Sequence, residues 1–504
     1  MKKINIEPKV AKKIGLVVAI NMLIGSMIGV GIFFKNNNIF AINDNNAIAV
    51  LIAWILSAII CLFTAISFAE ISSSADSHSG IGGWCYELIG KKFGLFVKII
   101  QPLFYFIVIT FSISIFCSES IFNIFSASEK VHIGIIFLIG IVLFLFFLIL
   151  NFLSIKHSGR FQSVITFLKF IPLFMVVIGG IYSGCNNTNN NLFATNMTFT
   201  SNNIIGILVS LPSILFAFDS FISIGVLSKD MKNPKRDVPF AVIVAMIIVG
   251  VIYTLVTVGQ LLSNSGDIFA MFNKIIANEQ AKKAVNIMIS VFVTCSVIGV
   301  LNAFCATTIR GSNSLIEDHT IIYANQIDDF ANRIIPTNNE YKGGLFLTFV
   351  FYLFVFIAIL IPSLITNSDA WVDGISNFPT TFFFFIYGTV ILFGLINRKT
   401  KKIQLQKVKG FCFYAVIAIL GCYLVFFFQA FYTFTTATII NYNGIMNWGL
   451  FSTNNFVTRN WHGTLLFFIY FIIMFIYFII NKVILSKQNP KLRSYFIKAA
   501  IEYG

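Results

Sequence analysis

Charge is what this chain has least of. Of its 504 residues only 11% are Asp, Glu, Lys or Arg, less than half the roughly 25% of a typical soluble domain. Together with 57% hydrophobic residues and a mean hydropathy of +0.87, this shortage excludes a disordered protein, a secreted disulfide scaffold and an ordinary cytosolic enzyme. Cysteine is sparse and unpatterned. Cys61, Cys117, Cys295, Cys305, Cys412 and Cys422 fall in apolar runs, and Cys85 and Cys185 have no C-x-x-C partner. They read as small apolar fillers. The histidines, His78, His132, His157, His319 and His462, lack metal-ligand spacing, so no metal or other cofactor is expected. Gly80, Gly82 and Gly83 follow no strand and precede no Gly-Lys-Ser/Thr, which argues against a phosphate-binding loop. No polar stretch is long enough for a separate soluble domain; the longest run over about 312–344 and 434–462.

What the chain has instead is apolar runs. A bilayer-crossing helix needs about 20 mostly apolar residues, and twelve candidates lie at about 14–40, 47–72, 94–124, 132–154, 160–183, 203–230, 238–263, 284–311, 345–365, 374–397, 410–433 and 463–485. Lys2, Lys3, Lys12 and Lys13 precede the first run in the manner of a signal peptide. The run continues through Ile28 and Ile32-Phe33-Phe34, far enough to span, so a retained helix is expected. With both termini cytoplasmic, 28 Lys and Arg fall inside and 6 outside, Lys35 among the latter. That bias obeys the positive-inside rule and accounts for the net charge of +15 without nucleic acid. The basic 398–409 loop and the C-terminal tail are placed to meet anionic lipid. A single polytopic all-α membrane domain in the plasma membrane is expected.

Two spans carry interruptions. The first contains Gly25-Ser26-Met27-Ile28-Gly29-Val30-Gly31, and each glycine weakens a helix by about 1 kcal/mol relative to alanine. Unwound backbone is tolerated at membrane depth only where protein covers it or it lines a cavity. Unwinding near Ile28–Gly31 would present amides at one half-helix end and carbonyls at the other, suited to a carboxylate and an ammonium. Close helix packing through Gly25 and Gly29 accounts for the glycines equally well. The sixth span holds Pro212, Phe216-Ala217-Phe218 and Asp219, and an acid at a helix centre, costing about 2.5–3.5 kcal/mol on insertion scales, faces a cavity or partner. Interrupted helices at equivalent places in two inverted halves point to a transporter site. Lys169 lies nine residues into a span starting near Arg160, a depth of about 14 Å, close to the midplane of a core about 30 Å thick. It reads either as a functional charge facing the bundle or as a structural lysine bonded to backbone carbonyls.

These residues together resemble the amino acid–polyamine–organocation transporter superfamily. The resemblance rests on Gly29-Val30-Gly31-Ile32-Phe33, on Phe68-Ala69-Glu70 with Gly82-Gly83 and Tyr86, and on Gln162, Thr166, Lys169, Pro172 and Leu173. Most specific is Phe216-Ala217-Phe218-Asp219 followed by Lys232-Asn233-Pro234-Lys235-Arg236-Asp237-Val238-Pro239; Asn302 and Arg310 match weakly. It covers residues 14–311 well and the remainder by topology. It implies a leucine-transporter-type fold: one inverted repeat at 14–183, a second at 203–397, and two further helices within 410–485. Substrate would lie at Met27, Ile28, Gly29, Val30, Gly31, Phe216, Ala217, Phe218 and Asp219. The Val30 and Gly31 amides would hold its carboxylate, and the Met27 and Ile28 carbonyls, with those near Phe216, its amino group. Phe216 would be a gating aromatic. Lys169 matches a lysine that takes the place of a sodium ion in proton-coupled members, which makes it the expected proton-coupling residue and makes sodium the lesser expectation. Val30 stands where Ser, Thr or Ala is common, Ser220 where Gly is, and Lys229-Asp230 where a Glu pair is.

The expected function is proton-driven import of an amino acid by alternating access. A polyamine or other organic-cation carrier, or a sensor that binds without translocating, stands as the alternative. An embedded enzyme would need a convergent set of reactive side chains that Lys169 and Asp219 do not form.

Overall fold

The computed structural model describes residues 15–72, 80–125, 131–186, 199–219, 221, 233–337, 339–446 and 456–488. The lysines up to Lys13, His78, Lys130, Ser220, Lys229-Asp230, Lys232 and the basic residues from Lys491 onward lie outside these. The described residues are almost entirely helical, with an isolated pairing of Ile445 and Arg459 as the one β-type contact among them.

Eleven helices among the described residues are long and apolar enough to cross a bilayer. They are α3 (Ala47–Ile71), the continuous Lys91–Ile124 rod, α7 (Ile133–Leu153), α8 (Ile155–Asn186), α9 (Ser201–Phe218), α10 (Pro234–Leu262), α12 (Glu279–Glu317), α14 (Lys342–Thr366), α15 (Ala370–Thr400), α16 (Phe411–Thr435) and α17 (Asn460–Gln488). The rod joins α5 (Lys91–Ile100) to α6 (Ile107–Ile124) through a wide turn at Gln101–Phe106. The first of the twelve expected spans is not one continuous helix. It divides into α1 (Leu16–Met27), a wide turn at Gly31–Lys35, and α2 (Asn36–Ile42). Short helices α4 (Ile81–Leu88), α11 (Ile268–Ile275) and α13 (Ala324–Ile334) lie between spans.

Burial sorts the helices by role. The rod's most apolar stretch is wholly buried, whereas those of α14 and α17 are mostly exposed, with Phe354, Ile357, Ile361, Phe468, Ile472 and Ile476 facing outward. An apolar exterior and a core that holds the polar groups is the arrangement lipid imposes. Inside, α1 packs on α8, α10 and α12, while α9 packs on α3 and α15. The two interrupted helices are thereby held at the centre. Small residues permit the approach: a Cβ on Gly25 would collide with Gln162 and Thr166 of α8. Buried amides bind the frame without charge. Asn302 on α12 accepts from Asn151 and Ser158 (2.9 Å each) and donates to Gln162 (2.9 Å).

Candidate functional site

The first break has a defined start. The last hydrogen bond of α1 runs from Ile28 N to Ile24 O (3.0 Å), and Ile28 is extended (φ −71°, ψ 110°) before helical geometry resumes at Val30. Amides after Ile28 and carbonyls before it therefore lack the partners a continuous helix supplies. Side chains from three other helices take the carbonyls. Lys169 Nζ donates to Gly25 O and to Ile28 O (2.8 Å). Ser296 Oγ also donates to Ile28 O (3.2 Å), and Tyr253 OH to Met27 O (2.9 Å). Lys169 is fully buried and packs beside Gly299 of α12.

The second break follows Phe218, where Asp219 turns extended (φ −62°, ψ 171°). Pro212 lies inside α9 without ending it. The same Tyr253 hydroxyl also reaches Ala217 O (3.1 Å), so one phenol spans the carbonyl ends of both interrupted helices. The breaks touch directly as well: a Cβ on Gly31 would overlap the Cα and Cβ of Ala217. The glycines thus serve both sequence readings, close packing and an interrupted helix. Asp219 is 4% exposed, and its two oxygens accept from Tyr105 OH and Thr380 Oγ1 (2.5 Å). It ties the end of α9 to the rod and to α15.

Between the breaks lies a small cavity, about 20 Å³, lined by Ser26, Met27, Gly29, Val30, Gly31, Phe216 and Asp219, with Ile109 and Ile113 of the rod and Val300 and Phe304 of α12 opposite. Ile28, Ala217, Phe218 and Lys169 stand behind the wall; Phe218 packs instead on Trp54 and Tyr253 (centroids 6.1 and 5.1 Å).

Lys35 corrects the charge count. The sequence reading counts it among the outside charges, yet it is 2% exposed because the interrupted helix continues through it. Its ammonium sits 4.1 Å from the Phe216 ring centroid and 3.3 Å from Asp373 Oδ1 of α15, and donates to Asn377 (2.6 Å) and Ser376 (3.2 Å). Phe216 lines the cavity, and Lys35 backs its ring. Sequence reasoning missed Lys35, Asp373, Tyr253 and also Glu119, an acid inside the third apolar run whose isolation was a readable signal.

Glu70, at the opposite end of α3, is buried and fastened. Arg398 grips it with two nitrogens (2.8 and 2.5 Å), and Val408 N donates to it (2.8 Å). Glu70→Ala is expected to cost about 3–5 kcal/mol, because it removes one partner of a largely buried, doubly bonded pair. Thermal unfolding in detergent would register this as a large drop in midpoint; an unchanged midpoint would mean the contact carries no stability.

Fold and site together define a membrane transporter of the leucine-transporter type, in which two interrupted helices meet around a small central cavity. A solved structure whose title reads MhsT in complex with L-phenylalanine superposes with a TM-score of 0.57 at 11% identity, over 82% of this chain and 98% of that one. The chain belongs to the amino acid permease family, whose model matches residues 14–451; it is a transporter of amino acids and not an enzyme. Among curated relatives, the serine/threonine exchanger SteT of Bacillus subtilis is 25% identical over 430 residues, covering 82% of this chain and 90% of the relative. The b(0,+)-type amino acid transporter 1 of Mus musculus is 23% identical over 416 residues, covering 81% and 80%.

Proposed function

We propose that this protein is a proton-coupled secondary transporter that imports a neutral, apolar amino acid by alternating access. The carrying observation is the cavity at the junction of the two breaks, with Lys169 bound to the carbonyls of the first. In this reading the Val30 and Gly31 amides, at a helix start, receive the substrate carboxylate. Carbonyls at the ends of α1 and α9 receive its ammonium. Met27 O and Ala217 O each accept from Tyr253, so the ammonium shares their second lone pairs, whereas Ile28 O already accepts from both Lys169 and Ser296. Ile109, Ile113, Val300 and Phe304 offer the side chain no polar partner, which supports an apolar substrate over the serine or threonine named for SteT. A polyamine is less well served, since the Asp219 oxygens are held by Tyr105 and Thr380.

The inverted repeats span 14–183 and 203–397, with the last two helices within 410–485, both termini cytoplasmic and the chain in the plasma membrane. The Lys35 side of the cavity then faces outward and the Glu70 side inward. Lys169 couples proton movement to the state of the first break, because losing its proton weakens its hold on Gly25 O and Ile28 O. Counterflow in proteoliposomes with a panel of labelled amino acids and polyamines tests the reading. Saturable exchange of apolar amino acids is expected, and Lys169→Ala is expected to lose pH-driven accumulation while still exchanging. Binding without any exchange would make the protein a sensor. Accumulation by the variant that follows an imposed pH gradient as the wild type does would remove Lys169 from the coupling.

A further inference from the structure

Glu119 on α6 takes no part in the cavity or in either break, yet it is 1% exposed and its Oε2 has no hydrogen-bond partner. An acid in such a place is costly if charged, and proteins keep such groups at membrane depth for function. Its surroundings sharpen the point. α15, which packs on α6, begins with two further buried acids, Asp369 and Asp373. Lys35 is joined to Asp373 (3.3 Å). Asp369 immediately precedes α15 and Asp373 lies in its first turn, where the helix dipole supports negative charge; Glu119, toward the far end of α6, has no such support.

Among the described residues, the other helices packed on α6 offer Glu119 little compensation. Thr294 of α12 spends its hydroxyl on Ser120 O (2.9 Å), and the titratable group that α12 brings to this stretch is Cys295, beside Cys117. α7 carries no charged residue, and the single one in α14, Lys342, is at its opposite end. A charged Glu119 would add negative charge to a core that already holds Asp369 and Asp373, with no hydrogen bond to its Oε2 to offset the cost of burying it. Like charges sharing a desolvated site resolve this by retaining a proton.

We propose that Glu119 is a proton-binding site distinct from Lys169, placed on the Lys35 side of the cavity. It holds a proton while Lys35 and Asp373 are in contact. When that contact opens and water enters, the carboxyl O–H bond breaks and the proton passes to water, leaving the carboxylate to be balanced by the released Lys35. The reverse steps load it from the same side. Proton loading is thereby tied to closure over Phe216, to which Lys35 is stacked. This rests on the transport reading above.

The test combines a spectroscopic and a transport measurement on the full chain in lipid. Infrared difference spectra between acidic and alkaline buffer are expected to contain the C=O stretch of a protonated carboxylic acid, absent in Glu119→Gln and shifted in Glu119→Asp. In proteoliposomes, each coupled proton supports roughly tenfold accumulation per pH unit of imposed gradient. Glu119→Gln is expected to keep measurable counterflow at equal pH but to lose accumulation under that gradient, and Glu119→Asp to restore part of it. A Glu119→Gln protein that keeps both the infrared band and the wild-type gradient response overturns the proposal. Absence of counterflow in the wild type would instead overturn the transport reading, and the infrared band would still decide whether Glu119 binds a proton.

Discussion

Gly31→Ala is expected to weaken substrate binding by roughly tenfold to a hundredfold. The added Cβ would overlap the Cα and Cβ of Ala217, and backbone cannot move aside as a flexible side chain can. Overpacking of this kind costs about 1–3 kcal/mol, and about 1.4 kcal/mol is a factor of ten in affinity. Here the strain falls where the two interrupted helices meet, so it is released by moving the amides and carbonyls that define the site. Thermal unfolding should change less than binding, because the frame of α3, α8, α10 and α12 is untouched. Titration of the best-exchanged amino acid, measured beside the melting curve, checks this. Wild-type affinity in Gly31→Ala would mean that the two breaks are not set by their mutual contact.

Tyr253→Phe is expected to be comparably damaging for the opposite reason: it adds nothing and removes one hydroxyl. That hydroxyl donates to Met27 O and Ala217 O, which end α1 and α9 and have lost their helical partners. A buried polar group left unpaired costs about 1–3 kcal/mol. With two carbonyls released, the relative position of the broken helices is no longer tied to α10. The ring keeps its packing against Trp54 and Phe218 (centroids 5.4 and 5.1 Å), so folding is retained. The expected result is counterflow reduced by about tenfold or more with a melting midpoint near wild type. Equal losses in stability and transport would reduce Tyr253 to a packing residue.

The two variants also separate what was readable from what was not. The glycines near Ile28 announced a weak helix, and their spacing allowed either close packing or unwinding. The structure has both, since the packing of Gly31 on Ala217 is what brings one unwound segment to the other. Pro212 looked like the second interruption, but a proline's missing donor matters less inside a packed bundle than the acid at Asp219, where the helix stops. Tyr253 gave no sign. It sits in an ordinary apolar run, and its partners are backbone carbonyls of helices remote in the chain.

By itself the sequence determined that this protein crosses a membrane many times, that its first and sixth spans are unlike the rest, and that Lys169 is too deep to reach water. The reason is that hydrocarbon offers no hydrogen bonds: every span must be apolar, and every exception stands out against that background. Only the tertiary structure decided which exceptions meet. It brought Lys169 to the carbonyls of the first break, took the Asp219 oxygens into the bundle through Tyr105 and Thr380, and set Lys35, counted among the outside charges, against Asp373. Each of these pairings joins residues on different helices. In a bundle whose faces are all apolar, periodicity does not say which helix a polar side chain will find; close packing of the whole set does.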